Sequence, residues 1–268
     1  MTTTTLDRAP DAAPIRPAPA RIPFTRLLQV ETIKMFDTRA GYWLMVGIAA
    51  SALIATASVV AFAPDSALTY DSFGAAIGIP MTLLLPVMAI LSVTSEWSQR
   101  SGLTTFTLVP HRGRVIGAKM LVAMVLGLVS IGVALAIGAL GNIVGTTIAG
   151  VDTVWDISAS QIGYLLFANV LNLLIGFMLG VLIRNSPGAI VGFVVYSFVL
   201  PSLSLLLASF QDWWEKAQPW LDFNWAQGEL YDGGMSAADW AHLGTSGLIW
   251  LVVPLAIGLV TVFRSEVK

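Results

Sequence analysis

The chain has 268 residues, of which 56% are hydrophobic and 11% are charged, and its formal net charge is −2. A soluble domain typically carries about 25% charged residues. This composition therefore excludes an ordinary water-soluble domain and predicts an integral membrane protein. The chain contains no cysteine, which excludes disulfides, thiolate metal ligands and a thiol nucleophile.

The N-terminal part of the chain predicts two segments on the cytoplasmic side. Residues 1–21 are rich in Thr, Ala and Pro and predict a disordered tail rather than a signal peptide. Residues 22–39 predict an amphipathic helix along the membrane surface. Glu31 interrupts its apolar face, so the alternative is a short basic lead-in to the first span. The candidate residues of this interfacial helix are Phe24, Leu27, Leu28, Glu31 and Lys34.

Six apolar runs predict membrane-spanning helices, because about 20 apolar residues cross the hydrocarbon core of a bilayer. They lie near residues 42–63, 73–94, 115–149, 159–183, 187–210 and 244–263. The third run is too long for one simple crossing. It either tilts and extends into the cytoplasm or breaks near Gly138, Gly141 and Asn142. Residues 22–268 thus predict one all-α domain with six transmembrane helices.

The distribution of charge favours a single crossing for each run. With the N-terminus inside, all of the 14 basic residues except Lys216 lie inside, and most of the acidic residues lie outside. Cytoplasmic loops carry such an excess of Lys and Arg. A second crossing by 115–149 would move Arg184 and the basic C-terminal tail outside. We therefore expect both termini in the cytoplasm of a multi-pass protein of the cytoplasmic membrane.

The segment Ser95–Lys119 is a polar, basic island between the second and third spans. Glu96 and Arg100 are four residues apart and can pair on one helix face. Leu103 and Phe106 add apolar surface that a fully solvated loop would not need. These features predict a docking surface for a cytoplasmic partner. The alternative is a basic anchor that only fixes the topology.

Few polar residues interrupt the spans. Asn142, Asn169 and Asn172 could line a substrate path, and the alternative is that they hold helices together by hydrogen bonds. No charged residue lies in the middle of a span, which argues against a proton- or voltage-driven mechanism.

Prolines and tryptophans mark two further features. Pro80 and Pro86 are expected to bend the second span, and Pro201 and Pro254 the fifth and sixth. The outer loop 211–243 is rich in Trp, which favours an anchor at the membrane surface over a lid.

Catalytic chemistry finds little support in the residues. The sequence has two histidines and lacks the spacing of a metal site. Gly244–Gly247 matches a short serine-protease pattern around Ser246, but no suitable base accompanies it. No phosphate-binding loop is present. We therefore expect no catalytic residue, no metal and no cofactor on this chain, and no nucleic-acid partner.

The island at 95–119 resembles the segment after the second span in permeases of the type-2 export class of ATP-binding cassette (ABC) transporters. The resemblance is carried by Glu96, Arg100–Ser101–Gly102, Thr107–Leu108–Val109–Pro110, Arg112 and Lys119. It implies a cytoplasmic coupling helix that docks on an ATPase subunit. The coupling residues would be Glu96, Arg100, Gly102, Leu103, Phe106, Leu108, Pro110 and Arg112.

The resemblance further implies a half-transporter. A second permease chain, identical or different, would pair with this one, and two separate ATPase subunits would hold ATP and Mg. The expected function is outward transport of a drug, peptide or lipid-like substrate, with membrane lipid as the surrounding medium. The alternative is a non-transporting scaffold or immunity protein whose loop recruits a cytoplasmic partner.

Overall fold

The computed structural model describes residues 22–98 and 112–264, and its long elements in these ranges are all helices. The predicted tail at 1–21 lies outside these ranges. The helices are α1 (Phe24–Asp37), α2 (Arg39–Phe62), α3 (Tyr70–Ser98), α4 (Arg112–Ala149), α5 (Ala159–Ile183), α6 (Ser186–Phe210), α7 (Asp212–Leu221), α8 (Phe223–Gly228) and α9 (Ala237–Arg264).

Six of these helices, α2 to α6 and α9, are long and apolar enough to cross a membrane. They correspond one by one to the six predicted runs. The prediction of an all-α, multi-pass membrane protein is therefore confirmed.

The two ends of the bundle are defined by the connections between helices. At one end, here called the α1 end, α1 packs beside the last turns of α3 and the first turns of α4. At the opposite end, here called the far end, residues 64–69 meet residues 150–158. Thr69 and Val154 form a single parallel bridge there, and the Asp71 amide donates to Asp156 Oδ1 at 2.8 Å.

Local sequence explains where several helices begin and end. Ser158 and Gln161 form a capping box at the start of α5, and Ser236 and Asp239 form another at the start of α9. Arg184 ends α5 in the left-handed conformation, with φ of 56°.

The start of α6 is capped by a side chain. Asn185 Oδ1 accepts the amide hydrogen of Gly188, and Pro187 lies in the first turn.

The long third run forms one unbroken helix of 38 residues, α4. The alternative of a break near Gly138 and Gly141 is wrong. These glycines instead permit close packing: a Cβ at Gly141 would lie only 2.2 Å from a methyl carbon of Thr56 on α2. At 1.5 Å per residue α4 is about 57 Å long, which exceeds the roughly 30 Å hydrocarbon core.

Prolines change the helices in a specific way. The stretches Val195–Val199 in α6 and Leu248–Val252 in α9 are π-helical, and each ends two residues before a proline, Pro201 and Pro254. A proline ring clashes with the carbonyl four residues earlier, and a wider π turn accommodates it. In α3, by contrast, Pro80 and Pro86 lie within a continuous α-helix.

The core of the bundle lies between α3 and α5. In their most apolar 18-residue stretches, 44% of the α3 residues and 50% of the α5 residues are buried, against 11% in α2 and 17% in α6. A notch at Gly176 on α5 admits the Pro86 turn of α3, because a Cβ at Gly176 would lie 2.5 Å from the Pro86 carbonyl oxygen. The outer helices α2 and α6 leave large apolar surfaces uncovered.

Candidate functional site

Four charged side chains form a cluster at the α1 end of the bundle, called the ionic cluster below. Glu31 and Lys34 come from α1, Glu96 from the last turns of α3, and Lys119 from the first turns of α4. Lys119 Nζ lies 2.5 Å from Glu31 Oε2 and 3.2 Å from Glu96 Oε1. Lys34 Nζ lies 2.9 Å from Glu31 Oε1 and 3.3 Å from Glu96 Oε1. Each cation therefore contacts both anions.

Three of the four side chains are almost fully buried. The side chains of Glu96 and Lys119 are 4% exposed and that of Glu31 is 7% exposed, whereas Lys34 is 40% exposed. Two positive and two negative charges sum to zero. Burial of a charge is costly unless it is paired and hydrogen-bonded. The cluster is stable as a set because its opposite charges alternate, and the loss of one member leaves a buried charge without full compensation.

Lys34 closes the solvent side of the ionic cluster. Partial burial lowers the pKa of its ammonium group, but hydrogen bonds and charges from Glu31 and Glu96 outweigh that effect and raise the pKa above its ordinary value. Lys34 is therefore fully charged at neutral pH. Beside it lies a cavity of 260 Å³ that all four cluster residues line, together with residues of α2.

The position of α1 follows from contacts with α4 that precede Glu31 in the chain. Leu27 packs with Val115 and Ala118 of α4, and Arg114 of α4 donates to the carbonyl of Ile22 at 2.8 Å. Glu31 is buried on the same side. Glu31 thus lies on the face of α1 that packs against α4, and Lys119 supplies its counter-charge.

Further hydrogen bonds tie the other helices together at the α1 end. The hydroxyls of Thr94 on α3 and Ser186 on α6 lie 2.7 Å apart. Arg112 at the start of α4 donates to the carbonyl of Val262 on α9 at 2.7 Å. Arg184 donates to Thr261 Oγ1 and lies over the Trp97 ring at 6.0 Å.

The predicted coupling residues divide into two groups. Glu96 and Arg112 are described, and both make the inter-helix contacts given above. The remaining predicted coupling residues lie outside the described ranges, and these are Arg100, Gly102, Leu103, Phe106, Leu108 and Pro110. The segment 99–111 that contains them joins α3 directly to α4.

The other predicted interfacial residues point in different directions. Leu27 and Glu31 are buried, Leu28 is half-buried, and Phe24 is 38% exposed. The face of α1 turned away from α4 carries Val30, Ile33 and Phe36, which are all exposed. An exposed apolar face of this kind needs a cover other than water.

The three candidate substrate-path residues occupy different environments. Asn172 donates to the Thr82 carbonyl of α3 at 2.7 Å, and Asn142 donates to the Val154 carbonyl at 2.8 Å. Both bonds join separate segments of the chain. Asn169 donates to the Leu165 carbonyl of its own helix at 2.8 Å and lines a cavity between α3, α4 and α5.

The Trp-rich segment 211–243 folds back onto the far end of the bundle. Trp214 and Gln218 of α7 donate to Ser204 of α6, and Trp250 of α9 donates to the Leu221 carbonyl at 2.7 Å. Trp213 and Trp220 are exposed.

The candidate protease serine lacks the geometry of a nucleophile. Ser246 is fully buried, and its hydroxyl donates to the main-chain carbonyl of His242 at 2.7 Å rather than to an imidazole. Within residues 22–98 and 112–264, no three His, Asp or Glu side chains lie close enough together to hold a metal ion.

Sequence reasoning missed the ionic cluster as a unit. Lys119 stood out only as the basic residue that opens the third span, and it lies 88 positions from Glu31. The available signal was a pair of oppositely charged residues, Glu31 before the first span and Lys119 near the start of the third apolar run. Nothing in the spacing of either stretch indicated that the two would meet.

Comparison of the chain with protein-family models gives no match. Comparison with curated proteins gives no match either.

Proposed function

We propose that this chain is the permease subunit of an ATP-driven exporter in the cytoplasmic membrane, with both termini in the cytoplasm. Separate ATPase subunits would dock on residues 99–111 and would carry the ATP and Mg. The observation that carries this proposal is the ionic cluster, which joins α1, α3 and α4 at the two points where that segment enters the bundle.

The position of the ionic cluster supports transmission of force. Glu96 lies three residues before the start of the 99–111 segment, and Lys119 lies two turns into α4. A partner that displaces this segment would pull on the ends of both helices. Because buried ion pairs resist separation strongly, α1, α3 and α4 would move together rather than slip past one another.

Two uncovered apolar surfaces support the assembly. The exposed face of α1 fits a helix lying along the lipid surface. The sparse burial of α2 and α6 leaves apolar area for lipid and for a second permease chain. The cargo would be a drug, a peptide or a lipid-like molecule, since no charge lies in the middle of a described span.

The test is ATP hydrolysis by the complex purified from native membranes. The tagged full-length chain is transferred into lipid nanodiscs and incubated with the photolabel 8-azido-ATP. We expect a second, co-purifying protein to be labelled, and hydrolysis by the complex to be sensitive to orthovanadate. The ratio of the labelled protein to the tagged chain must be the same in repeated purifications.

Variants of the ionic cluster then test coupling. Glu96→Gln should retain the labelled partner but reduce hydrolysis by about fivefold or more, within the usual range of coupling between sites. Lys216→Met, which changes an exposed lysine of α7, should leave hydrolysis unchanged.

Two results would overturn the proposal. One is a purified complex without any nucleotide-labelled protein, which would support the scaffold alternative if another partner is bound. The other is hydrolysis that responds equally to Glu96→Gln and to Lys216→Met.

A further inference from the structure

A second polar feature lies in the half of the bundle away from the ionic cluster. A cavity of 390 Å³ separates α3, α4 and α5 and extends from Gln161 near the far end to Asn169 in the middle of α5. These two residues are eight positions apart, so the cavity is about 12 Å long. No residue of the ionic cluster lines it.

The wall of this cavity is mainly apolar. Ile77 and Met81 of α3 and Ile131 and Ala134 of α4 line it and are otherwise buried. Ile79, which is 70% exposed, also lines it, so the cavity opens sideways at the outer surface of the bundle. In a membrane this side faces lipid, and an apolar molecule can enter from there.

Asn169 lines this cavity and carries a hydrogen-bond acceptor that has no partner among the described residues. Asn169 is 8% exposed, and its Oδ1 has no hydrogen bond within residues 22–98 and 112–264. Only the amide nitrogen can donate to the Leu165 carbonyl, so this bond fixes the orientation of the side chain. The unpartnered atom must therefore be an acceptor. A buried polar atom without a partner costs free energy until a donor reaches it.

The neighbouring amide donates to a different helix. Asn172, one turn along α5, donates to the Thr82 carbonyl and thereby joins α5 to α3. Asn169 makes no such bond to another helix. Its hydrogen bond is within α5, so its Oδ1 adds nothing to the packing of the bundle but remains able to accept.

We propose that the cavity between α3, α4 and α5 binds a small amphipathic molecule, with an apolar body and one hydroxyl or amine that donates to Asn169 Oδ1. A cavity of about 150 Å³ holds one benzene, so the volume here accommodates roughly two fused rings with a polar substituent. The proposal does not rest on an ATPase partner, because binding is a property of this chain alone.

Glycine at position 78 provides the means to fill the cavity. Gly78 lines it, and a Cβ built there would meet no atom within 4 Å. Because Gly78 lines the cavity, we expect a leucine at this position to fill part of it. Gly132 on α4 has equally open surroundings but is exposed and does not line the cavity. Gly78→Leu and Gly132→Leu are thus a matched pair.

The experiment measures binding of two fluorescent probes to the full-length chain in lipid nanodiscs, with empty nanodiscs subtracted. 1-Naphthol can donate a hydrogen bond, whereas 1-methoxynaphthalene has nearly the same shape and cannot. We expect saturable binding of 1-naphthol to the wild-type chain, about tenfold tighter than binding of the ether, as one buried hydrogen bond predicts.

The variants separate the apolar and polar parts of the site. Asn169→Leu should bind both probes with affinities within about twofold of each other, because the acceptor is gone. Gly78→Leu should lose saturable binding of both probes, and Gly132→Leu should bind as the wild type does. Retained binding of the ether by Asn169→Leu also shows that this variant is folded.

Three results would overturn the proposal. The first is that the wild-type chain binds neither probe saturably, which is expected if only water or lipid chains fill the cavity. The second is that the wild-type chain binds both probes with equal affinity. Alternatively, Gly78→Leu would bind as tightly as Gly132→Leu, which would place the probe elsewhere on the chain.

Discussion

The ionic cluster at the α1 end and the cavity between α3, α4 and α5 are both polar interruptions of an apolar bundle, but they are completed differently. In the ionic cluster every charged group has two partners of opposite sign. In the cavity, Asn169 has an acceptor that no described group satisfies. Polar groups that satisfy one another fix the helices that carry them, whereas an unsatisfied acceptor can still bind a donor from another molecule.

The largest effect should come from breaking the ionic cluster at its most buried cation. Lys119→Met leaves Glu31 and Glu96 with only half-exposed Lys34 as a partner. Removal of one member of a buried ion pair costs about 3–5 kcal/mol. We expect a loss of that size in the free energy of unfolding, measured by denaturant titration in mixed micelles.

A charge exchange tests whether pairing is the cause. The quadruple variant Glu31→Lys, Lys34→Glu, Glu96→Lys and Lys119→Glu keeps the cluster neutral and its opposite charges alternating, and it should recover at least half of the stability that Lys119→Met loses. Equal instability of both variants would show that shape, and not charge, holds α1 to α4. Lys216→Met, at an exposed position, should change stability by less than about 0.5 kcal/mol.

An intermediate effect on stability is expected at the contact between α3 and α5, where the helices are held by apolar packing. Gly176→Ala places a methyl group 2.5 Å from the Pro86 carbonyl oxygen, so α3 and α5 must move apart. Overpacking of this kind costs about 1–3 kcal/mol. Gly163→Ala is the matched change on the exposed side of α5, with nothing within 4 Å, and should stabilise by up to about 1 kcal/mol.

A smaller effect should separate the two asparagines of α5. Asn172→Leu removes a hydrogen bond between helices and should destabilise the bundle by about 1 kcal/mol. Asn169→Leu removes an unsatisfied acceptor and a bond within one helix, so its stability should stay within about 0.5 kcal/mol of the wild type. Thermal unfolding of both variants in the same detergent measures this. Equal losses would place Asn169 among the structural residues.

The smallest effect concerns pH and Lys34. The folded-state pKa of this group is raised, so its contribution to stability is complete below the unfolded value of about 10.4 and disappears as pH rises above it. The contribution of Lys34 to stability should therefore stay constant between about pH 7 and 9. At about pH 11 the wild type should lose stability relative to Lys34→Met, when both are compared with their values at neutral pH. A parallel pH dependence of the two proteins would contradict this.

The spans were predictable because length and apolar composition alone determine them. The last helix begins earlier than its apolar run, at Ala237 rather than near 244, since the Ser236 capping box extends it over a polar turn. The continuity of α4 was not predictable. Its glycines look alike in sequence whether they break a helix or admit a neighbour, and only the approach of Thr56 distinguishes the two cases.

The candidate sites were less predictable than the spans. In the sequence, the three asparagines look the same, since each is a single polar residue within an apolar run; they are Asn142, Asn169 and Asn172. Their different environments depend on which main-chain carbonyl lies opposite each one, and that is decided by packing between helices. In the same way, Glu31 looked like a flaw in α1 because the residue that compensates it belongs to another helix.

The unbroken helix α4 touches each of these features in turn. Its start carries Lys119, its middle lines the cavity with Ile131 and Ala134, and its last turns carry Asn142, which holds Val154 at the far end. A continuous helix of this length can move as a rigid body, so a tilt displaces its two ends in opposite directions. A tilt of about 5° around its midpoint would move each end by about 2.5 Å in opposite directions. A displacement of about 1.5 Å beside Lys119 would thus reach the far end as one of about 2.5 Å, and the cavity would lie near the centre of the rotation.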